Sequence, residues 1–171
     1  MSDEKNTNLP RVIVVNDVPY LRESIKTQLE ERGYFVTSVN ANTHAEFLPK
    51  LRAHLNRINL YDFLILDIQL GNDFFGGIHL YNALVSQNKR LCWKHTIILS
   101  QHAHKPIHSI GWSTSDIREA YIIRIFAETA GISEDNIFNS LHDAHEPVFA
   151  RMNKLLYQPP APICYACHQH L

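Results

Sequence analysis

Arg11-Val-Ile-Val-Val15 is a short, β-branched and almost wholly apolar run that stops at Asn16-Asp17. A strand that is apolar on both faces belongs inside a parallel sheet, covered above and below. The period then changes. Leu21, Ile25 and Leu29 recur every fourth residue among Arg22, Lys26, Glu30 and Glu31, which predicts an amphipathic helix terminated by Gly33. Tyr34 to Val39 reads as a second strand. Phe47, Leu48, Leu51 and Leu55 share one face of a second helix, with Pro49 expected in its first turn, where a missing N–H does no harm. Phe63-Leu-Ile-Leu66 is another buried-strand run, and it ends at Asp67. Gly71 to Gly77 reads as loop, after which Ile78, Tyr81, Ala83 and Leu84 carry helical spacing to Val85. Thr96-Ile-Ile-Leu99 predicts a fourth strand ending at Ser100.

Beyond Ser100 the pattern is less regular. Gln101 to Trp112 reads as a polar loop, and Ser115 or Thr114 as the cap of a helix from about Asp116 to Ala130, with Ile117, Tyr121, Ile125 and Phe126 inward. Asn136-Ile-Phe138 suits a short fifth strand. Pro147 to Tyr157 suits a closing helix with Val148, Met152 and Leu155 or Leu156 on its buried side. Strands alternating with helices through short connections imply βαβ units, hence an α/β, doubly wound parallel sheet with helices on both faces. The expected organisation is a disordered leader over 1–8, one domain over 9–157, and a Pro-rich linker with a Cys/His tail over 158–171.

Composition changes this picture little. The 171 residues are 45% apolar and 19% charged, and 16 basic against 17 acidic side chains leave a net charge of −1. Such a balance supplies no electrostatic reason for a nucleic-acid partner or a membrane surface. No apolar run approaches the roughly 20 residues that cross a bilayer, so membrane insertion is not expected and the expected location is the cytoplasm. Three cysteines do not make a disulfide framework.

Functional groups in an open parallel sheet collect at the carboxyl ends of the strands. Here those ends carry Asn16-Asp17, Asp67 and Ser100, and all three are expected in one shallow pocket. Two neighbouring carboxylates repel unless a cation sits between them or one is protonated; a hard ion such as Mg2+ suits that place. Val12-Ile-Val-Val-Asn-Asp-Val18, Leu64-Ile-Leu-Asp-Ile-Gln-Leu70 with Gly76-Gly77-Ile78, and Ile97-Ile-Leu-Ser100 together resemble the response-regulator receiver domains, the CheY-like family. The resemblance implies a flavodoxin-like fold of five parallel strands in the order 2-1-3-4-5. It also implies a two-component signal-transduction role, with Asp67 as phosphoacceptor and Mg2+ held by Asp17, Asp67 and the backbone carbonyl of Gln69. Ser100 would be the switch hydroxyl. The partners it implies are a sensor histidine kinase or phosphotransfer protein and a downstream target protein.

The chain departs from the family twice. Asn16 stands where a first acidic residue is usual, which makes it a weak metal ligand and predicts weaker Mg2+ binding. Asn139-Ser140-Leu141 supplies no Lys after the fifth strand, and Lys105, in Lys105-Pro106 five residues after Ser100, is a candidate substitute phosphate partner from its loop. Those departures support an alternative, a phosphorylation-independent pseudo-receiver that acts as an interaction module. A further alternative is metal or redox sensing through Cys164, Cys167, His168 and His170 as a second metal set, which His102 or His104, or a second chain, could join. The same Cys-x-x-Cys-His pattern attaches haem in exported proteins, and no export signal precedes it. With no Gly-rich nucleotide loop and no nucleophile elbow, an enzyme acting on a separate substrate is not expected.

Overall fold

The computed structural model describes residues 9–56, 60–101, 114–139 and 145–159. Five strands form an all-parallel sheet: β1 (Arg11–Val15), β2 (Phe35–Ser38), β3 (Tyr61–Asp67), β4 (Trp93–Ser100) and β5 (Ile137–Asn139), in the order β2-β1-β3-β4-β5. Among the described residues five α-helices alternate with them: α1 (Pro19–Glu31), α2 (His44–His54), α3 (Gly76–Ser86), α4 (Thr114–Thr129) and α5 (Glu146–Leu156). The order and alternation are those expected from the sequence. β2 and β5 are the sheet margins, and they are its shortest strands, with four and three residues.

Two compact units divide the chain, 1–96 and 97–171. In the first, Val12 to Val15 and Phe63 to Leu66 are fully or almost fully buried, as apolar runs without a polar face require. Leu29, Phe47, Leu51 and Tyr81, from the helices, are buried as well, as is Leu55 at the end of α2. β1 pairs in parallel with β3 through Val14↔Ile65 and Val15↔Leu66, so the next residue on each strand, Asn16 and Asp67, emerges side by side. α1 starts with Pro19 at its first position, and Gly33, at φ +83°, takes the left-handed conformation that ends it.

α2 begins a turn earlier than the apolar pattern predicts. Thr43 accepts a hydrogen bond from Glu46 N at 3.3 Å, and the Glu46 carboxylate accepts one from Asn42 N at 3.1 Å. This local cap satisfies N–H groups that would otherwise lack partners, and it sets the helix start. Pro49 therefore lies inside the helix and not in its first turn. The carbonyl that loses a partner belongs to Ala45, on an exposed stretch open to solvent. α3 likewise starts at Gly76, not Ile78, so both glycines read as loop belong to its first turn.

In the second unit, Ile98 pairs with Ile137 and Ser100 with Asn139. The inward face of α4 differs from the expected one. Ala120, Ile123, Phe126 and Ala127 are buried, whereas Tyr121 and Ile125 are 61% and 44% exposed. Two alanines on the buried stripe carry little apolar bulk, and that moved the sequence-based face onto the larger residues beside them. α5 buries Val148, Phe149, Met152 and Leu155. Arg151, from the same helix, donates to the buried Asn136 side chain at 2.7 Å.

Candidate functional site

The site is built at the carboxyl ends of β1 and β3. Asp67, last residue of β3, is 8% exposed, and Asn16, immediately after β1, is 1% exposed. Asn16 Nδ2 donates to Asp67 Oδ2 at 2.9 Å, while Asn16 Oδ1 accepts from Val18 N at 2.8 Å. The amide thus bridges the phosphoacceptor candidate to the start of α1. Asp17 turns the other way, its Oδ2 accepting from Gly71 N at 2.7 Å. Gly71 can sit there because it adopts φ +65° and because a Cβ would lie 2.6 Å from the Asn42 carbonyl oxygen.

Burial, and then the negative charge of Asp17, push Asp67 from 3.8 up to about 8. The backbone N–H groups of Gln69 and Ile68 oppose that rise without cancelling it. Burial and the Asp17 charge both favour the protonated form of Asp67. That is the expected direction for two carboxylates sharing one corner.

The donor set fits a hard divalent ion. Asp17 is half-buried, its second oxygen takes no hydrogen bond among the described residues, and Asp67 adds a carboxylate at the same strand ends. The Gln69 side chain turns to the Gly71 carbonyl at 3.4 Å, and its own backbone carbonyl accepts no hydrogen bond among the described residues. Asn16 commits its amide nitrogen to Asp67 and its oxygen to the backbone, which makes it a poorer ligand than its position alone suggested. Asp17, Asp67 and the Gln69 carbonyl would hold the ion. Once bound, it would supply positive charge that favours the ionised form of Asp67.

Ser100 ends β4 as expected and is buried at 5% exposure. Asn139 ends β5, and its amide donates to the Gln101 carbonyl at 3.4 Å. Lys105, the loop histidines His102, His104 and His108, the tail Cys164, Cys167, His168 and His170, and the 1–8 leader lie outside the described residues.

One contributor escaped the sequence reading. Arg22, assigned to the polar side of α1, is 4% exposed; its NH1 donates to the Asn16 carbonyl at 2.7 Å and its NH2 to Asn40 Oδ1 at 3.0 Å. Its role is positioning: it fixes the backbone from which Asn16 and Asp17 project. Replacing it with Met keeps most of the buried stem but leaves the Asn16 carbonyl unpaired. The expected cost is about 1–3 kcal/mol, read as a lower urea midpoint with unchanged slope.

Gly77 is the other. A Cβ there would lie 2.1 Å from the Asp67 carbonyl oxygen and 2.9 Å from Ile68 Cα. The first turn of α3 is pressed directly against the backbone that presents Asp67, and Gly77 N donates to Ile68 O at 2.8 Å.

No protein-family model matches the chain, and no curated protein is similar enough to it to count as a match. Solved structures do match. The receiver domain of the Francisella response regulator 1452 is 25% identical, with a TM-score of 0.53 over 85% of this chain and 95% of that one. A CheY-like receiver domain from Methanospirillum hungatei JF-1 is 20% identical, with a TM-score of 0.55 over 86% and 94%. The response regulator TrrA of Thermotoga maritima, solved with Mg2+ and BeF, is 19% identical, with a TM-score of 0.54 over 86% and 99%. The chain therefore has the fold of response-regulator receiver domains. No described helix is long and apolar enough to cross a membrane.

Proposed function

We propose that the chain is a signal-transduction receiver whose partner interactions are switched by phosphorylation of Asp67 in the presence of Mg2+. The observation that carries this reading is the placement of the Asp67 carboxyl, buried at the end of β3, in the same corner of strand ends as Asp17. Phosphoryl transfer asks mainly for positioning and for positive or hydrogen-bonding groups around the transferring oxygens. The Asp67 carboxylate attacks phosphorus, the bond from phosphorus to the donor's leaving group breaks, and an acyl phosphate forms. The backbone N–H groups of Ile68 and Gln69 and the amide of Asn16 hold the acceptor in place. Ser100 and Lys105 take the switch-hydroxyl and phosphate-partner roles that the resemblance implies. A histidine kinase or phosphotransfer protein would supply the phosphoryl group, and a target protein would read it.

One observation favours a second reading. The 2.9 Å bond from Asn16 engages one of the two Asp67 oxygens, as suits an interaction module without a phosphorylation cycle. Incubation with Mg2+ and a small phosphodonor, followed by intact mass, separates the two. The switch requires one added phosphoryl group on the wild type and none on Asp67→Asn. No adduct on the wild type, with partner binding indifferent to Asp67→Ala, would select the interaction module.

A further inference from the structure

Away from the strand-end carboxylates, the loop after β3 brings together a second group of ligand-bearing side chains. His44 is the first residue of α2, Asp73 lies in the loop, and His79 is in the first turns of α3. One donor atom from each lies within 4.8 Å of the other two. We propose that His44, Asp73 and His79 form a binding site for a borderline transition-metal dication, with Zn2+ as the reference ion. This site is independent of the phosphoaspartate reading.

The geometry is that of a ligand set. His79 Nδ1 lies 2.8 Å and His44 Nδ1 3.1 Å from the same oxygen, Asp73 Oδ2. Two donors bound tetrahedrally to one zinc at about 2.0–2.1 Å sit roughly 3.3 Å apart, so both pairs need to open by only a few tenths of an ångström. Two imidazoles and one carboxylate are a borderline donor set, which suits zinc and its neighbours rather than Mg2+. His79 is exposed, leaving an entry path and a position for water.

An ordinary histidine–aspartate hydrogen bond explains only half of the cluster. His79 and Asp73 form one at 2.8 Å, whereas His44 Nδ1 is shut away from solvent and makes no directed hydrogen bond. The two rings meet edge to face at 5.6 Å, and both imidazoles border the same Asp73 oxygen. A single dication among the three donors gives His44 Nδ1 a directed partner. The carboxylate is already held for the task. Asp73 Oδ1 accepts from Phe75 N at 3.0 Å, and the Asp73 backbone is bridged to Leu70 by two hydrogen bonds. Thr43 anchors the helix start that carries His44. An ion here would tie α2 to the loop whose Gly71 holds Asp17.

The test is Zn2+ titration of the untagged full chain by calorimetry, in a background with Cys164→Ser, Cys167→Ser, His168→Gln and His170→Gln to silence the tail. One equivalent of Zn2+ is expected to bind. Adding His79→Ala or Asp73→Asn should weaken binding by on the order of tenfold or more, while melting of the metal-free variants reports whether the fold survives. Asp67→Asn should retain the ion, which separates this site from the acidic corner. Co2+ should give visible bands without a thiolate charge-transfer feature. No Zn2+ bound in the tail-silenced protein would overturn the proposal. So would an affinity that both His79→Ala and Asp73→Asn leave unchanged, or one that Asp67→Asn abolishes.

Discussion

Alanine at position 77 is expected to destabilise the chain by about 2–4 kcal/mol, a large effect for one methyl group. The added carbon would stand 2.1 Å from the Asp67 carbonyl oxygen and 3.0 Å from the carbon that bears it. Both are backbone atoms at the end of β3, so neither can swing aside as a side-chain tip would. The first turn of α3 must lift from the sheet, straining the 2.8 Å bond from Gly77 N to Ile68 O. Alanine's better helix propensity returns at most about 1 kcal/mol. Urea unfolding checks the result: the midpoint should fall while the slope stays that of the wild type. Because the displaced strand end carries Asp67, phosphoryl incorporation should fall further than the residual folded fraction explains. Gly33→Ala is a suitable contrast. Nothing lies within 4 Å of its Cβ, so only the left-handed backbone at φ +83° is strained, and a cost near 1 kcal/mol is expected.

The second large effect is a dependence of stability on pH. Asp67 ionises near 3.8 when unfolded and at about 8 in the folded chain, through burial first and the charge of Asp17 second. Between those values the folded chain holds a proton that the unfolded chain has released. Its contribution is therefore complete below the lower value, declines as pH rises across the window, and levels off above the upper one. The steepest slope available to one such group is about 1.4 kcal/mol per pH unit. Asp67→Asn removes the group, so its stability relative to wild type should climb steadily from acid to mildly alkaline pH. Mg2+ should stabilise the wild type most at the alkaline end, where the carboxylate is already ionised and no proton competes for it. Paired denaturation curves across that range, with and without Mg2+, give both answers. A wild type and Asp67→Asn that run parallel at every pH would show that Asp67 is not held protonated by the fold.

The strands were legible because their chemistry is local. Arg11–Val15 has no polar face, so its depth and limits follow from its own residues. Asp17, Asp67 and Ser100 could be found as the polar residues that stop such runs. What sequence could not show was supplied by other parts of the chain. A charged residue on a helix reads as solvated, and Arg22 is buried only because Asn16 and Asn40, from two separate loops, receive its guanidinium. The amide of Asn16 was visible as a departure, but its bond to Asp67 exists only once β1 and β3 are in register. Gly76 and Gly77 looked like flexible turn residues; their value is lack of bulk against a neighbouring backbone. His44, Asp73 and His79 are dispersed along the sequence, and they meet only where the start of α2 faces the loop after β3. The Thr43 cap, by contrast, was there to be read, since a Thr followed three residues later by Glu is a local helix-start pattern.

The brevity of β2 and β5 bears on how this protein behaves when crowded. An unpaired strand edge is a template for another polypeptide, and its pull grows with the number of consecutive free backbone groups. Four residues at one margin and three at the other offer an incoming strand little to zip onto. At the first margin the Arg11 guanidinium also lies over the Phe35 ring, 5.1 Å from its centre, so a cation guards the most apolar spot there. Association with other proteins through side chains can then proceed at high concentration without the sheet itself recruiting neighbours into fibres.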